Sequence, residues 1–370
     1  MNNEVTFHTG TLADAISRAA RVAPTKGEAF DKAAGILLEC QPQNNQVVVR
    51  ATNIEESFRT ILYPTTITGE PFKMRIPSLL LDAILQTLPK GDDDKTILID
   101  RGDDKVRIKS GSTVTALQIL DPEAFPLEEP IPDFTGVAAD QFAALVDQVA
   151  WATDKKHAKL SGVHIDGQRI VACNSYCLAY VPCDVRVEQP ITAPLGTVRS
   201  LLKSASDVRM APSERKLYIA LDEHTVCSTN LIAEEYPNIS ALMREEFLGT
   251  FKFKKSAFMD TMNRVNAVAR QDRLPKITLE LDNDGLLKQL ILDIEVPGVA
   301  RLRDSLIVET EYDNDFSISF TSGVLESAVE NSKSDTITVD FGYPDNPSKT
   351  GSIRVTDGTG YTCYAMSRRG

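Results

Sequence analysis

The chain has 370 residues, with 40 Lys+Arg against 52 Asp+Glu, a formal charge of −12, 42% hydrophobic and 25% charged residues. This composition excludes a disordered chain, no apolar run approaches the roughly 18–20 residues of a membrane span, and the N-terminal MNNEVTFHTGTLADA has neither the basic nor the apolar region of a signal peptide. The acidic balance disfavours a protein that coats nucleic acid with a uniformly basic surface, yet permits a basic patch on an acidic body; the expected location is cytoplasmic, and the length predicts two to four domains at roughly 100–200 residues each.

In chain order, TLADAISRAARVA (11–23) places Leu12, Ile16 and Ala19 at i, i+4 and i+7, one face of a helix. Thr11 with Asp14 offers a capping-box-like start. Strand-like runs follow (AAGILLEC, QVVVRATN), then a second helical segment, SLLLDAILQTL (78–88), then KTILIDRG, KVRIKSG and TALQIL. The same order returns with DQFAALVDQVAWA (140–152), GVHID, RIVACN and LAYVPCDV, then GTVRSLLKSA (196–205), KLYIALD and TVCSTNLI. It returns again with SAFMDTMNRVNAVA (256–269), KITLELD, LKQLILDIEV and RLRDSLIVETEY, then GVLESAVENS (323–332), TITVDFGY, GSIRVTD and TCYAM.

In the first helices Leu12, Phe142 and Phe258 correspond, as do Ile16, Val146 and Met262; in the second helices Leu81, Val198 and Leu325 correspond. Turn punctuation at Asn44-Asn45, Asp166-Gly167, Asp284-Gly285 and Asp357-Gly358 separates the strands. A repeat of roughly 115–130 residues means repeated domains rather than a solenoid. The expected division is 1–130, 131–246 and 247–370, each a duplicated helix-plus-antiparallel-sheet unit, six in all, and the expected class is α+β.

Catalytic motifs are missing: there is no phosphate-binding G-x-x-x-x-G-K-[ST], no G-x-G-x-x-G, no G-x-S-x-G and no H-E-x-x-H. His8, His157, His164 and His224 are scattered, although a Ser-His-Asp triad assembled by folding would leave no local signature. Cys173, Cys177 and Cys183 are spaced C-x3-C-x5-C in a strand-like run without a paired knuckle or a histidine at ligand spacing, so they read as small apolar residues. Asp92-Asp93-Asp94 reads as a solvated turn, and Asp282 and Asp284 before Gly285 as a hairpin turn rather than a calcium loop. No cofactor or metal is expected.

The basic residues gather on and just after helices. Arg18 and Arg21 lie off the apolar face of the first helix, Arg264 aligns with Arg18, and Arg199 and Lys203 lie four apart on a second helix. Lys26, then Lys155, Lys156 and Lys159, then Arg270 and Arg273 follow the three first helices. Two readings fit: ordinary solvated helix faces, or a phosphate-facing surface that ignores base identity. Asp82, Glu326 and Glu330 on other second helices argue against a uniformly basic face.

Against this pattern, VRIKSGSTVTALQILDPEAFPLEEP (106–130), with Ser110-Gly111-Ser112 and Phe125-Pro126, resembles the end of the first domain of the bacterial DNA polymerase III β sliding clamps. The ending recurs as TVCSTNLIAEEYPNI with Tyr236-Pro237; LSGVHIDGQRIVACNSYCLAYVPCDV (160–185) resembles a further stretch of that family, and TCYAMSRRG its hydrophobic tail. The resemblance covers nearly the whole chain with low identity at any one motif, which implies a divergent member, of host or phage origin. It implies three clamp domains, with helices inside and sheets outside a homodimeric ring that encircles double-stranded DNA. Such a ring holds a polymerase on its template and does no chemistry.

The resemblance also implies sites. Arg18, Arg21, Lys26, Lys155, Lys156, Lys159, Arg199, Lys203, Arg264, Arg270 and Arg273 would face DNA. A pocket for short peptides from polymerase and clamp-loader subunits would comprise Leu160, Cys173, Ser175, Tyr176, Cys177, Leu178, Pro237, Ala241, Leu242, Tyr364, Met366 and Arg368, with Ser175-Tyr176-Cys177 departing from the family's Gly-His-Arg. Thr115 and Leu117 of one copy would meet Val268 and Ala269 of another. Competing expectations are a non-enzymatic repeat-domain scaffold or virion protein, and a hydrolase whose triad forms only in the fold.

Overall fold

The computed structural model describes residues 3–24, 34–100, 102, 104–127, 129–136, 139–184, 187–202, 209–283, 287–344 and 351–368. One order recurs six times, a strand, a helix and three further strands. The first unit is β1 (Asn3–His8), α1 (Thr9–Ala20), β2 (Ile36–Gln41), β3 (Gln46–Thr52) and β4 (Glu56–Leu62). After the short β5 (Thr66–Thr68) the second is β6 (Phe72–Ile76), α2 (Ser78–Thr87), β7 (Lys95–Asp100), β8 (Lys105–Ser110) and β9 (Thr113–Gln118). The third is β10 (Thr135–Gly136), α3 (Ala139–Ala150), β11 (Gly162–Ile165), β12 (Arg169–Cys173) and β13 (Cys177–Pro182). The fourth is β14 (Ile191–Pro194), α4 (Leu195–Leu202), β15 (Arg209–Pro212), β16 (Lys216–Ala220) and β17 (Thr225–Asn230). The fifth is β18 (Gly249–Lys254), α5 (Lys255–Ala269), β19 (Lys276–Asp282), β20 (Gln289–Val296) and β21 (Ala300–Ile307), followed by the short β22 (Glu309–Thr310). The sixth is β23 (Phe316–Thr321), α6 (Ser322–Glu330), β24 (Thr336–Phe341), β25 (Ser352–Thr356) and β26 (Thr362–Met366).

The helical stripes read from the sequence are the buried stripes. Leu12, Ile16 and Ala19 on α1, Phe142, Val146 and Val149 on α3, and Phe258, Met262 and Val265 on α5 are all at most 1% exposed. The second helices bury Leu81 and Leu85, Val198, and Leu325, Ala328 and Val329. Strand alternation supplies the matching floor: in β19, Ile277, Leu279 and Leu281 are buried while Lys276 stays exposed. Each fully buried Leu, Ile, Val, Phe or Met contributes about 1.5–3 kcal/mol, so stripe and strand floor together build the core.

Units are intertwined in pairs. The strand before each helix pairs into its neighbour's sheet: β1 with β7 (Val5 opposite Leu98), β6 with β2 (Met74 opposite Leu38), β14 with β11 (Ala193 opposite Val163), β18 with β24 (Phe251 opposite Val339) and β23 with β19 (Ile318 opposite Leu279).

The chain forms two compact bodies, Met1–Asp140 with Ser200–Leu231, and Gln141–Arg199 with Ile232–Gly370. The first holds a five-stranded sheet, β5-β1-β7-β8-β9, and an eight-stranded sheet, β10-β15-β16-β17-β4-β3-β2-β6. The second holds a nine-stranded sheet, β14-β11-β12-β13-β26-β25-β24-β18-β22, and a four-stranded sheet, β21-β20-β19-β23. These bodies cut across the three segments of the sequence repeat, because each large sheet draws strands from two successive segments. In both large sheets the third strand after the helix of an odd unit is joined to the last strand of an even one: β4 to β17 and β13 to β26. The strands at those positions in the two smaller sheets, β9 and β21, are terminal strands.

Candidate functional site

The β13–β26 joint brings five of the twelve sequence-derived pocket residues, Leu160, Cys173, Leu178, Tyr364 and Met366, into one cluster. Alternation along the strands puts Val171 and Cys173 of β12, Leu178 of β13 and Tyr364 of β26 on one face, where they form a buried apolar cluster with Ile239. Leu160, Tyr180, Tyr236, Met243, Phe247 and Met366 are partly buried against it. Leu178 is opposite Tyr364 in the ladder, and the Met366 N–H donates to the Tyr176 carbonyl at 2.8 Å.

Alternation also sorts the remaining expected residues. Cys177 is buried on the opposite face of β13 from Leu178, beside the Cys363 thiol, and donates to Asn174 Oδ1 at 3.4 Å. Tyr176 (47% exposed) and Leu242 (39% exposed) are free apolar surface at this end of the sheet. Ser175 and Ala241 are exposed and Pro237 is half-buried. Arg368 bonds elsewhere: its N–H donates to the Ser319 carbonyl, and its guanidinium to that of Leu274. The expected set lacks Val171, Tyr180, Tyr236, Ile239, Met243 and Phe247 of this cluster. Val171 was legible as the alternation partner of Cys173, whereas Met243 and Phe247 lie in an irregular segment without periodicity.

Cations rim the apolar cluster. The Arg169 guanidinium donates to Asp166 Oδ2 at 2.8 and 3.0 Å, lies 5.5 Å from the Tyr180 ring centroid and reaches Met243 Sδ at 3.1 Å. Arg354 pairs with Asp340 at 2.8 Å and lies 4.6 Å from the Phe247 ring; Arg244 lies 3.9 Å from the Tyr343 ring, and its carbonyl accepts the Tyr364 hydroxyl at 2.8 Å. Burial pushes the Cys173 thiol and the Tyr364 and Tyr236 phenols above their ordinary values, so all three are neutral near pH 7. Burial would raise Asp166, but the Gln168 N–H and Arg169 outweigh it and hold the carboxyl below its ordinary value. The arrangement offers an apolar floor suited to an apolar side chain, and the Arg169 and Arg354 guanidinium groups beside it are held by Asp166 and Asp340.

The cationic residues divide into two kinds. Arg18 pairs with Asp222 at 3.7 Å and Arg199 with Asp147 at 2.6 Å, while Arg264 pairs with Asp304. Arg21, Lys155, Lys156, Lys159, Arg270 and Arg273 are exposed. Lys26 and Lys203 lie outside the described residues. At the expected joint, Leu117 (5% exposed) and Ala269 (4%) are already buried in their own body, and Thr115 and Val268 are half-buried.

All six cysteines are free thiols and buried. The histidine rings bond to the Asp92 carbonyl (His8), Asp154 (His157) and Thr192 (His164), and His224 packs on Tyr63; among the described residues no serine hydroxyl is among these partners. No helix among the described residues is long and apolar enough to cross a membrane.

No family model matches the sequence. A β sliding clamp from Rickettsia felis is 21% identical, over 74% of this chain and 80% of its own length. The β subunit of DNA polymerase III from Caulobacter crescentus matches with a TM-score of 0.82 at 16% identity, over 100% of both chains. The Streptococcus pyogenes β subunit gives 0.81 at 18% identity, over 99% of this chain and 100% of its own, and that of Pseudomonas aeruginosa 0.82 at 16%, again over 99% and 100%. In sequence this chain is similar to a bacterial β sliding clamp, and over its full length it has the fold of the bacterial DNA polymerase III β subunits.

Proposed function

We propose that this chain is a DNA sliding clamp, a non-catalytic processivity factor of the cytoplasm. Two copies close head to tail around duplex DNA and tether a polymerase and clamp-loader subunits through short peptides. The observation that carries the reading is the repeated sheet joint. Two equivalent joints, β4–β17 and β13–β26, are made within the chain, and the strands of a third, β21 and β9, end their sheets. A β9 edge from one copy completes a β21 edge from another, which satisfies strand edges that otherwise invite disordered pairing. Segments 1–130, 131–246 and 247–370 are then the three clamp domains, six to a closed dimer.

Topology replaces affinity in such a ring, so its cations need only track phosphates without reading bases. Arg21, Lys155, Lys156, Lys159, Arg270 and Arg273 serve that role directly; Arg18, Arg199 and Arg264 do so while holding acidic partners. The net charge of −12 keeps the remaining surface from binding DNA. The partner peptide lies on the face that carries Cys173, Leu178, Tyr364 and Met366.

Retention on DNA tests this reading. Protein loaded on nicked circular DNA should stay bound in high salt and be released when the circle is cut. Equal retention on linear and circular DNA overturns it.

A further inference from the structure

Across four strands of the nine-stranded sheet, one ladder row reads Cys173 (β12), Leu178 (β13), Tyr364 (β26) and Arg354 (β25), each opposite the next. The irregular segment Met243–Phe247 crosses this face. At one end the Arg169 guanidinium on β12 donates to Met243 Sδ at 3.1 Å. In the middle the Tyr364 hydroxyl donates to the Arg244 carbonyl at 2.8 Å, and at the other end the Phe247 ring lies 4.6 Å from the Arg354 guanidinium on β25. Three strand gaps of about 4.8 Å make about 14 Å, and four residue steps reach about 13–14 Å when extended. A nearly extended strap therefore fits the crossing, with Met243 and Phe247 both packed against the apolar cluster.

Side chains hold this strap, and its own backbone does little. Among the described residues, the N–H groups of Glu245, Glu246 and Phe247 donate to no protein acceptor. The two ends are fixed: Ile239 is buried ahead of the turn Ser240–Leu242, and the Leu248 N–H donates to the Phe341 carbonyl at 2.9 Å. Asp166 and Asp340 hold Arg169 and Arg354 from the sheet side, so both guanidinium groups stay in place when the strap leaves.

Beneath the strap, Leu178, Tyr364 and Cys173 are buried. An apolar side chain from a partner reaches that floor only by displacing one that covers it. Of the covering side chains, Leu160, Tyr180 and Met366 sit in regular elements, and Tyr236 is stacked on His164 at 4.2 Å. Met243 and Phe247 belong to the strap alone. A segment with fixed ends, no backbone ladder and a few apolar contacts opens at far lower cost than the sheet below it.

We propose that Met243–Phe247 is a lid, whose Met243 and Phe247 side chains cover the apolar floor in the free chain and which lifts between Ile239 and Leu248 to admit an apolar segment of a partner. The inference rests on the reading of the β13–β26 joint as the peptide pocket. A site that is mostly closed binds with its affinity reduced by the open fraction, so the strap sets the apparent affinity for the partner.

Thiol labelling of the full-length protein tests it. Cys173 lies on the covered floor, whereas Cys177 and Cys363 share the opposite face of the sheet. Labelling by N-ethylmaleimide is followed at each cysteine by digestion and mass spectrometry. Cys173 should label at least tenfold faster than Cys177 and Cys363. Met243→Ser with Phe247→Ser should speed Cys173 at least a further fivefold and leave the other two unchanged, which separates lid opening from unfolding. The second probe is the strap's own sequence as a free peptide, acetyl-MREEFL-amide. It should protect Cys173 of the double variant at a concentration at least fivefold lower than in the wild type, because the variant's strap no longer competes for the floor. Cys173 labelling as slow as that of Cys177 and Cys363, or unmoved by the double variant, overturns the lid. Equal protection of both proteins by the peptide overturns the lid and spares the pocket. Faster labelling in the variant with no protection of either protein overturns the pocket, and the lid's role with it.

Discussion

Leu178 faces Tyr364 across the ladder that joins β13 to β26, and both are essentially sealed from solvent, at 0% and 2% exposure. The pair is thus part of the core that holds two stretches of chain together, and in the proposed clamp it is also the floor of the peptide pocket. Leu178→Asp would bury an unpaired carboxylate and damage the fold, and Leu178→Ala alone should cost about 2–5 kcal/mol of stability. Half-buried Met366 separates binding from folding. Met366→Asp should weaken binding of an apolar peptide at least tenfold, about 1.4 kcal/mol, with an unchanged sedimentation coefficient. Calorimetric titration that gives the wild-type affinity would remove Met366 from the site.

The cationic residues make a separable prediction. Arg18, Arg199 and Arg264 hold aspartates, so replacing them also frees Asp222, Asp147 and Asp304. Lys155, Lys156, Arg270 and Arg273 are exposed. Changing these four to Glu should lower the rate of loading onto nicked circles about tenfold, with retention of the loaded ring unchanged. It should also flatten the salt dependence of loading, since each neutralised phosphate contributes a slope of roughly 0.9 in log–log terms. Unaltered loading and slope would mean that they are ordinary solvated surface.

The helices were legible because each carries a three-point apolar stripe that only one periodicity accommodates; Leu12, Phe142 and Phe258 mark equivalent positions, and all are buried. The strand ahead of each helix was not read. FKMRI in β6 and GTFKFK in β18 are short and lysine-bearing, and ITAP in β14 ends in proline, so local propensity is weak. What holds them is pairing with strands distant in sequence, as Phe251 with Val339, which no window of sequence contains. Leu160, Cys173, Leu178, Tyr364 and Met366, which the family resemblance grouped, share one apolar cluster. The resemblance failed to separate Cys177 from Leu178, although period-2 alternation puts adjacent strand residues on opposite faces.

His164 supplies a pH signature. Its ring stacks on Tyr236 at 4.2 Å, and its Nδ1 lies 3.0 Å from the Thr192 hydroxyl. Burial holds the imidazole below its ordinary 6.5, with Asp166 opposing and Arg169 adding to the shift. The folded chain therefore binds this proton more weakly than the unfolded chain, and stability rises with pH between the two values. The contribution is intact above about 6.5 and declines as pH falls below it. Asp154, Asp166, Asp222 and Asp304 have lowered values, so their stabilisation is lost only as pH falls below the ordinary 3.8, a separate window. Urea midpoints measured from pH 7.5 to 5 should fall, and His164→Gln should flatten that fall. An identical slope in the variant would assign the effect elsewhere.

In the proposed ring, edge geometry at β9 decides the oligomer. The Ile119 N–H donates to the Asp104 carbonyl at 3.0 Å, continuing the ladder in which Gln118 stands opposite Lys105. By alternation, the N–H groups of Leu117 and Thr115 also point toward β8, and those of Gln118, Ala116 and Val114 point off the sheet. Proline at position 116 thus spares the chain's own ladder and deletes a donor from the free edge. Thr115→Pro strikes the internal ladder instead. Light scattering of the wild type should give about twice 40.6 kDa, the mass of one chain. Ala116→Pro should shift the equilibrium toward the single-chain mass and raise the dimer dissociation constant at least tenfold, with circular dichroism unchanged. Thr115→Pro should lower the melting temperature as well. A variant at position 116 that dimerises as tightly as the wild type would show that closure does not run through β9, and a wild-type chain that stays monomeric at micromolar concentration would remove the ring itself.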